Sequence, residues 1–349
     1  MAKSRIGLDI GSTAVRAVEL IGSPLAVVRA SQVALPPGAV ESGEVRDPAA
    51  VSDALKKLWS DGGFKGKQVW LGVGNQRVVV REISLPYLPE NELRQSLGFQ
   101  VQEFIPMPVD DAVLDYNAVG EFEQDDRRML RMLLVAAQRS MVEQVVAAVS
   151  SAKLQPMGLD LIPFALVRSV GATDVALDLE EGAVEEAIVD IGAHITNIVV
   201  HARGETRFVR ILPSGGRDVT MAIARSAGVE DDIAERLKRG EQVEDAPAPQ
   251  QVRQAALQRA ASFVDEVRSS LEFYTAQAKS ARIGKVLVTG GGSRLEGLFE
   301  LMRQRIPVPV EPGAVFSHVP HHLDPADVAA AEPLLAVAIG LALPEEDGR

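Results

Sequence analysis

Asp9 and Asp190 each end a short apolar run, residues 6–8 and 187–189, and each is followed two positions later by a glycine, Gly11 or Gly192. A strand that delivers an acid, turns on glycine and returns as an apolar strand can expose backbone N–H groups to an anion. Two such hairpins facing each other would hold a polyphosphate between two sets of amides and offer two carboxylates to its metal. A third glycine turn, Gly290-Gly291-Gly292-Ser293, follows the apolar run 285–289, at a strand end of the kind where α/β proteins bind ligands. None of the three is a P-loop or a Rossmann fingerprint, because neither G-x-x-x-x-G-K-[ST] nor G-x-G-x-x-G is present. One glycine turn alone is unspecific. Three in this order predict a nucleotide clamp made from two related halves.

The elements that must position these turns follow from periodicity and caps. Residues 5–35 read as strands closed by Pro36-Pro37-Gly38, and Asp47, Pro48 and Gly62 bracket a helix with Leu55, Leu58 and Trp59 on its apolar face. Strands at 68–73 and 77–85 follow. Pro86 and Pro89 then open a segment with its own pattern. An amphipathic helix at 90–104, carrying Leu93, Leu97, Val101 and Phe104, stops at Pro106 and Pro108. Strands at 112–118 and 129–137 and a helix at 139–152 complete an α-β-β-α insert. A strand at 156–160 and a helix from Pro163 return to the first lobe. The second lobe begins near residue 185 with three strands. A helix from Ser214 leads into a helical excursion, 229–279, where Ala256, Ala260, Phe263, Val267, Leu271 and Tyr274 recur at the spacing of a core-facing helix stripe.

Composition narrows the function. A chain of 349 residues suits two lobes, and an aromatic content of 4% makes the cores aliphatic. A net charge of −12 without a Lys/Arg cluster disfavours nucleic acid. The absence of cysteine excludes disulfides and fits a cytosolic protein. The first residues form no signal peptide, and the longest apolar stretch, 334–343, falls short of the roughly 20 residues needed to span a bilayer. The tail 344–349 is not an amphipathic membrane helix, so membrane association is expected only through a partner. His318, His321 and His322 lie in a Pro-rich loop without cysteine and are not expected to bind metal.

The hairpins at Asp9 and Asp190 and the loop 286–298 resemble those of the actin/Hsp70/hexokinase ATPase superfamily. Four further stretches resemble the PilM family, the actin-like component of type IV pilus machines, related to the division protein FtsA. These are Val-Arg-Glu-Ile-Ser-Leu-Pro-Tyr-Leu-Pro at 80–89, Phe-Ile-Pro-Met-Pro at 104–108, Leu-Asp-Tyr at 114–116 and Ala-Val-Ala-Ile-Gly-Leu-Ala-Leu at 336–343. The likeness runs from about residue 4 to 343. It implies an α/β, two-lobed actin-like (ribonuclease H-like) ATPase fold with an inserted α-β-β-α subdomain 1C. The implied boundaries are subdomain 1A at 1–85 and 154–184, 1C at 86–153, 2A at 185–228 and 284–330, 2B at 229–283, and a C-terminal helix and tail at 331–349 packing back on the first lobe.

The resemblance also implies ATP with Mg²⁺. Asp9 and Asp190 would hold the metal through water and serve catalysis, and Gly11, Ser12 and Thr13 would face Gly192, Ala193, His194 and Thr196 across the phosphates. Gly215 and Gly216 would add a helix N-terminus for an anion. Glu235 and Lys238 would bind ribose and flank the base, and Gly290, Gly291, Gly292 and Ser293 would take the α-phosphate and adenine side. Ala14 stands where many superfamily members have a lysine, and Arg16 replaces it only if its side of the strand points inward. Asp160 occupies the place of the water-orienting Gln or Glu of hydrolysing relatives, with a short reach, and serves equally well as a helix cap. Tight ATP binding with slow or absent hydrolysis is therefore expected.

The implied function is a cytoplasmic scaffold, peripheral to the inner face of the cell membrane, whose nucleotide-closed lobes bind the N-terminal tail of the inner-membrane protein PilN between 1A and 1C. Leu85, Leu88, Phe104 and Ile105 are the candidate groove residues, although a core would claim the same residue types. Other pilus inner-membrane components and motor ATPases are further implied partners. Two alternatives stand beside this: a small-molecule kinase, which needs a substrate-facing acid in an open cleft, and an FtsA-like polymerising ATPase, which lacks its membrane helix here.

Overall fold

A computed structural model describes residues 4–171, 184–244, 246–278 and 282–344. Residue 279 of the helical excursion and the tail from 345 onward lie outside the described residues.

The first strands, β1 (Arg5–Ile10), β2 (Ala14–Gly22) and β3 (Leu25–Ala34), form an antiparallel meander. A short hairpin of β4 (Val40–Glu41) and β5 (Glu44–Val45) leads into α1 (Pro48–Gly62). The Asp47 carboxylate accepts from the amides of Ala49 and Ala50, and Gly63, at φ 64°, ends the helix one residue later than its pattern predicts. Strand β6 (Gln68–Val73) joins β1 in parallel. The chain then leaves the lobe through β7 (Val78–Pro86), α2 (Glu90–Val101), β8 (Ala112–Gln124) and β9 (Arg127–Gln138). It returns with α3 (Arg139–Ser151), β10 (Gln155–Leu161) and α4 (Ile162–Val170), giving a sheet in the order β10-β6-β1-β2-β3.

The second lobe repeats the plan. Strands β11 (Val184–Ile191), β12 (Thr196–Ala202) and β13 (Glu205–Leu212) are antiparallel neighbours. Helices α5 (Gly216–Ala227), α6 (Asp231–Lys238) and α7 (Pro249–Gln277) intervene before β14 (Arg282–Thr289), α8 (Leu298–Arg305) and β15 (Val310–Pro312). The sheet order β13-β12-β11-β14-β15 mirrors that of the first lobe, with β14 parallel to β11 as β6 is to β1. Strands β1 and β11 are buried along almost their whole length, as central strands covered on both faces must be.

Helix α9 (Pro325–Ala342) locks the halves together. Its descent onto β1 and α4 requires two glycines, because a Cβ at Gly7 would collide with the carbonyl of Ala338 and one at Gly340 with that of Ala165. Leu166, Leu335 and Ile339 bury a shared cluster with Val18 and Leu20 of the first lobe and Ile188 and Val199 of the second.

Two sequence expectations change. The insert is a sheet in the order β7-β9-β8 backed by α2, running from residue 78 to 138. Strand β7 belongs to it because it pairs along its length with β9, a partner some fifty residues away that no local pattern reveals. Helix α3 belongs instead to the first lobe, where Val145, Ala148 and Val149 pack with Ile6, Leu8, Leu55 and Leu58. The groove candidates lie in the same unit. Leu85 and Ile105 are buried and Leu88 and Phe104 half-buried in the insert's own core, with Leu93, Leu97, Met132 and Leu134.

Candidate functional site

Asp9 and Asp190 end the central strands of the two sheets and are both buried. Register places Arg16 opposite Asp9 and Asn197 opposite Asp190, each seven residues further along. Arg16 Nη1 donates to Asp9 Oδ2 at 3.3 Å, so its side of β2 does point inward and supplies the cation that Ala14 lacks. Asn197 Nδ2 donates to Asp190 Oδ2 at 3.0 Å. Burial pushes the Asp9 carboxyl above its ordinary range despite Arg16. Burial, helped by the charge of Asp9, pushes Asp190 up to about 6 against the hydrogen bond from Asn197. The charge of Asp9 thus works against ionisation of Asp190.

The glycine turns converge on Asp190-Ile191-Gly192. A Cβ on Gly290 would stand 2.5 Å from Asp190 Oδ1, and Gly290 adopts φ +84°, which only glycine tolerates with its extended ψ. A Cβ on Gly292 would strike the Ile191 side chain, and one on Gly215 would lie 2.5 Å from the carbonyl of Gly192 and 2.8 Å from that of Ala193. Gly216 is surrounded by Gly192, Gly292 and Lys238. The second hairpin, the α5 N-terminus and the third turn therefore pack together, and the charges of Asp9 and Arg16 on the first hairpin act on Asp190.

Their roles differ from the sequence expectation in one systematic way. The amides of Gly11 and Gly192 close their own turns, to Ala14 O at 3.1 Å and Ile195 O at 2.9 Å. The Gly216 amide donates to Gly192 O at 2.9 Å, and the Gly215 amide to Asp218 Oδ2 at 3.1 Å. The amides of these four glycines are thus engaged within the protein. Among the described residues, the amides of Ser12, Thr13, Ala193 and His194 have no backbone acceptor among the turn and loop hydrogen bonds. Thr196 is fully buried with its hydroxyl on Ser214 O at 2.7 Å, and the Ser293 hydroxyl closes its own turn on Gly290 O at 2.7 Å. Both support the cleft without lining it.

Lys238 packs against the α5 N-terminus. Its ammonium lies 3.0 Å from Gly216 O, 2.9 Å from Thr220 Oγ1 and 2.6 Å from Glu235 Oε2. Burial lowers the Lys238 pKa against this pairing, while Lys238 and Thr220 outweigh burial and leave Glu235 below its ordinary value. Asp160 is engaged elsewhere. It pairs with Arg168, whose guanidinium also donates to Gly340 O at 3.1 Å, and its Oδ1 accepts from the Leu161 amide at 2.6 Å. This strap joins β10 to α4 and α9.

Sequence reasoning missed Asn197, Asn75 and Ser42. The seven-residue hairpin offset that pairs Asp9 with Arg16 was the available signal for Asn197. Its Oδ1 is buried without a hydrogen-bond partner among the described residues. An orphaned acceptor beside two repelling carboxylates fits a hydrated cation with its polyphosphate. No group of three His, Cys, Asp or Glu able to cage a metal occurs among the described residues. The histidine loop 318–322 instead pairs with β3, Val27 N donating to Pro320 O at 2.8 Å. No helix among the described residues is long and apolar enough to cross a membrane.

Comparison with known proteins follows the same lines. The family model described as Type IV pilus assembly protein PilM matches residues 7–346. Among solved structures, the chain is similar to one in a PilM-PilN type IV pilus biogenesis complex, with 29% identity, 97% of both chains covered and a TM-score of 0.84. It also shares its fold with MreB5 of Spiroplasma citri bound to ADP, at 12% identity, 97% and 94% coverage and a TM-score of 0.53. The cell division protein FtsA of Pseudomonas aeruginosa is 23% identical over 382 residues, covering 97% of this chain and 88% of that protein. The fold is the two-lobed actin-like ATPase fold.

Proposed function

The chain belongs to the PilM family of type IV pilus assembly proteins, and from that premise we propose that it is an ATP-binding scaffold whose lobes close on nucleotide and which binds the N-terminal tail of PilN. One observation carries the nucleotide half of this reading: Asp9 and Asp190 are both buried and close enough for the charge of one to act on the other, and the glycines of the third turn and of the α5 N-terminus pack against the Asp190 hairpin. The likeness to a chain of a PilM-PilN complex supports the partner half. PilN would in turn hold the protein at the inner face of the cell membrane.

In this reading the amides of Ser12, Thr13, Ala193 and His194 hold the phosphates from both sides. Mg²⁺ would supply the charge that relieves the repulsion between Asp9 and Asp190, and Asn197 would keep Asp190 oriented toward it. Glu235 and Lys238 would serve the ribose and base, a role supported by the contact of Lys238 with Gly216 O at the α5 N-terminus. Asp160, held by Arg168, is a poor candidate to orient an attacking water, which favours retention of ATP over turnover.

Titration of the purified protein with a fluorescent ATP analogue and Mg²⁺, with and without a peptide of the PilN N-terminal tail, tests the proposal. Micromolar or tighter binding, turnover below about one per minute and a change in nucleotide affinity with peptide are expected. Independent binding of the two ligands would remove the nucleotide-gated scaffold. Phosphate transfer to a sugar or acid would favour a kinase instead, and pelletable ATP-dependent filaments an FtsA-like role.

A further inference from the structure

The hairpin β4–β5 has no place in the function so far, yet it stands over the cleft. Its tip holds two consecutive residues at positive φ, Ser42 at 49° and Gly43 at 74°. That turn aims the Ser42 amide at His194 Nδ1, 3.3 Å away on the phosphate turn of the other lobe. The hairpin is held from behind by Asn75, a buried polar residue just after β6. Asn75 Nδ2 donates to Gly43 O at 3.0 Å, and its Oδ1 accepts from the Arg77 amide at 2.9 Å. A Cβ on Gly43 would lie 2.8 Å from that of Asn75, so hairpin and shoulder are in contact. The same shoulder meets the second lobe again, where a Cβ on Gly74 would sit 2.9 Å from Asn197 Oδ1.

This wall is also tied to the insert. Arg77 Nε pairs with Glu44 Oε1 at 2.6 Å, its Nη1 donates to Gln138 Oε1 at 2.8 Å, and its carbonyl accepts from the Gln138 amide at 3.1 Å. Arg77 and Gln138 stand at the root of the insert, where β7 starts and β9 ends. Burial and Arg217 hold His194 below its ordinary pKa, against the opposite pull of Glu41 and Asp218, which keeps Nδ1 free to accept at neutral pH.

We propose that Asn75 is a positioning residue that sets the β4–β5 hairpin against His194, so that the insert, the lobe-to-lobe contact and the phosphate turn move as one unit. The proposal rests on the reading of the cleft as a nucleotide site for its functional consequence, while the contact itself can be tested without nucleotide. Spatial continuity alone does not establish coupling, so the test is a double-mutant cycle.

Hydrogen exchange of a peptide spanning residues 40–45 is measured in the nucleotide-free full chain for wild type, H194A, H194Q and N75A. Faster exchange in H194A and N75A, with protection restored in H194Q through its side-chain oxygen, is expected. Unchanged exchange in H194A overturns the contact. Release of a fluorescent ATP analogue is then followed in the same proteins. Each alanine variant should speed release about five-fold, the worth of one hydrogen bond, and the double variant no more than the larger single one. Multiplying effects in the double variant, or release altered by H194A but not by N75A, overturns the unit. Failure of every protein to retain the analogue would refute the nucleotide reading, and the exchange result would still decide the contact.

Discussion

Asp190 carries the sharpest consequence of a single side chain. Its carboxyl titrates near 6 in the fold against 3.8 for an ordinary aspartate, so between those values the native state binds more protons than the unfolded chain. Stability without nucleotide therefore falls as pH rises through that window, by up to about 3 kcal/mol. The variant D190N should lose Mg²⁺-dependent nucleotide binding, yet be more stable than wild type near pH 7.5, with the gain shrinking near pH 4. Denaturant melts at both pH values check this, and an equal difference at both would contradict it. Gly215 makes the converse case. A Cβ there meets the carbonyls of Gly192 and Ala193, which are backbone and cannot swing aside. G215A should weaken binding of a fluorescent ATP analogue at least ten-fold and cost about 1–3 kcal/mol of stability by overpacking. The acids and glycines of this site were legible in the sequence because each is a local signature of strand, turn and residue type. Which amides remain free was not, since Gly11, Gly192 and Gly216 spend theirs on carbonyls fixed only when the turns close.

At the scale of elements, α9 does more than finish the fold. Pro333 inside the helix offers its carbonyl to the Gly290 amide at 3.0 Å and the Thr289 hydroxyl at 3.3 Å, while the following turns pack on β1 and α4. Helix docking and the third glycine turn are thus mechanically joined. G340A, which sets a methyl against the Ala165 carbonyl, should lower stability by about 1–3 kcal/mol or more. It should also weaken nucleotide binding, although residue 340 lies in the helix packing and not in the cleft. A calorimetric melt and an ATP-analogue titration check both, and unchanged affinity in a destabilised variant would separate the helix from the site. Helices α1 and α7 were readable from caps and periodicity. The insert was not, because β7 finds its partner in β9 and α3 turns its apolar stripe toward α1. Pattern shows that a strand or helix has a buried face but leaves open what buries it.

For the whole molecule, the proposal becomes a statement about linkage. If PilN tail and ATP both favour the closed arrangement, each must raise the affinity of the other by the same factor, about 5- to 150-fold for a coupling of 1–3 kcal/mol. Calorimetric titrations in both orders measure the two factors, and unequal factors would exclude a simple two-state closure. The cluster around α4 and α9 draws side chains from both sheets, so any change in the angle between the lobes must repack it.

The sequence by itself determined the doubled acid-and-turn plan, the third glycine turn, the aliphatic two-lobed core and the acidic surface. All of these follow from residue types within a few positions of one another. Only the tertiary structure decided that Arg16 faces Asp9, that Asn197 orients Asp190 and that Asp160 belongs to a strap with Arg168. It also decided that Leu85 and Ile105 are buried, and Leu88 and Phe104 half-buried, in the insert's core, and that Ser42 reaches across to His194 while Asn75 holds its hairpin. The reason is physical: periodicity and turn chemistry are local, whereas burial, charge pairing and hydrogen-bond satisfaction are settled by residues that meet only after the two lobes have packed.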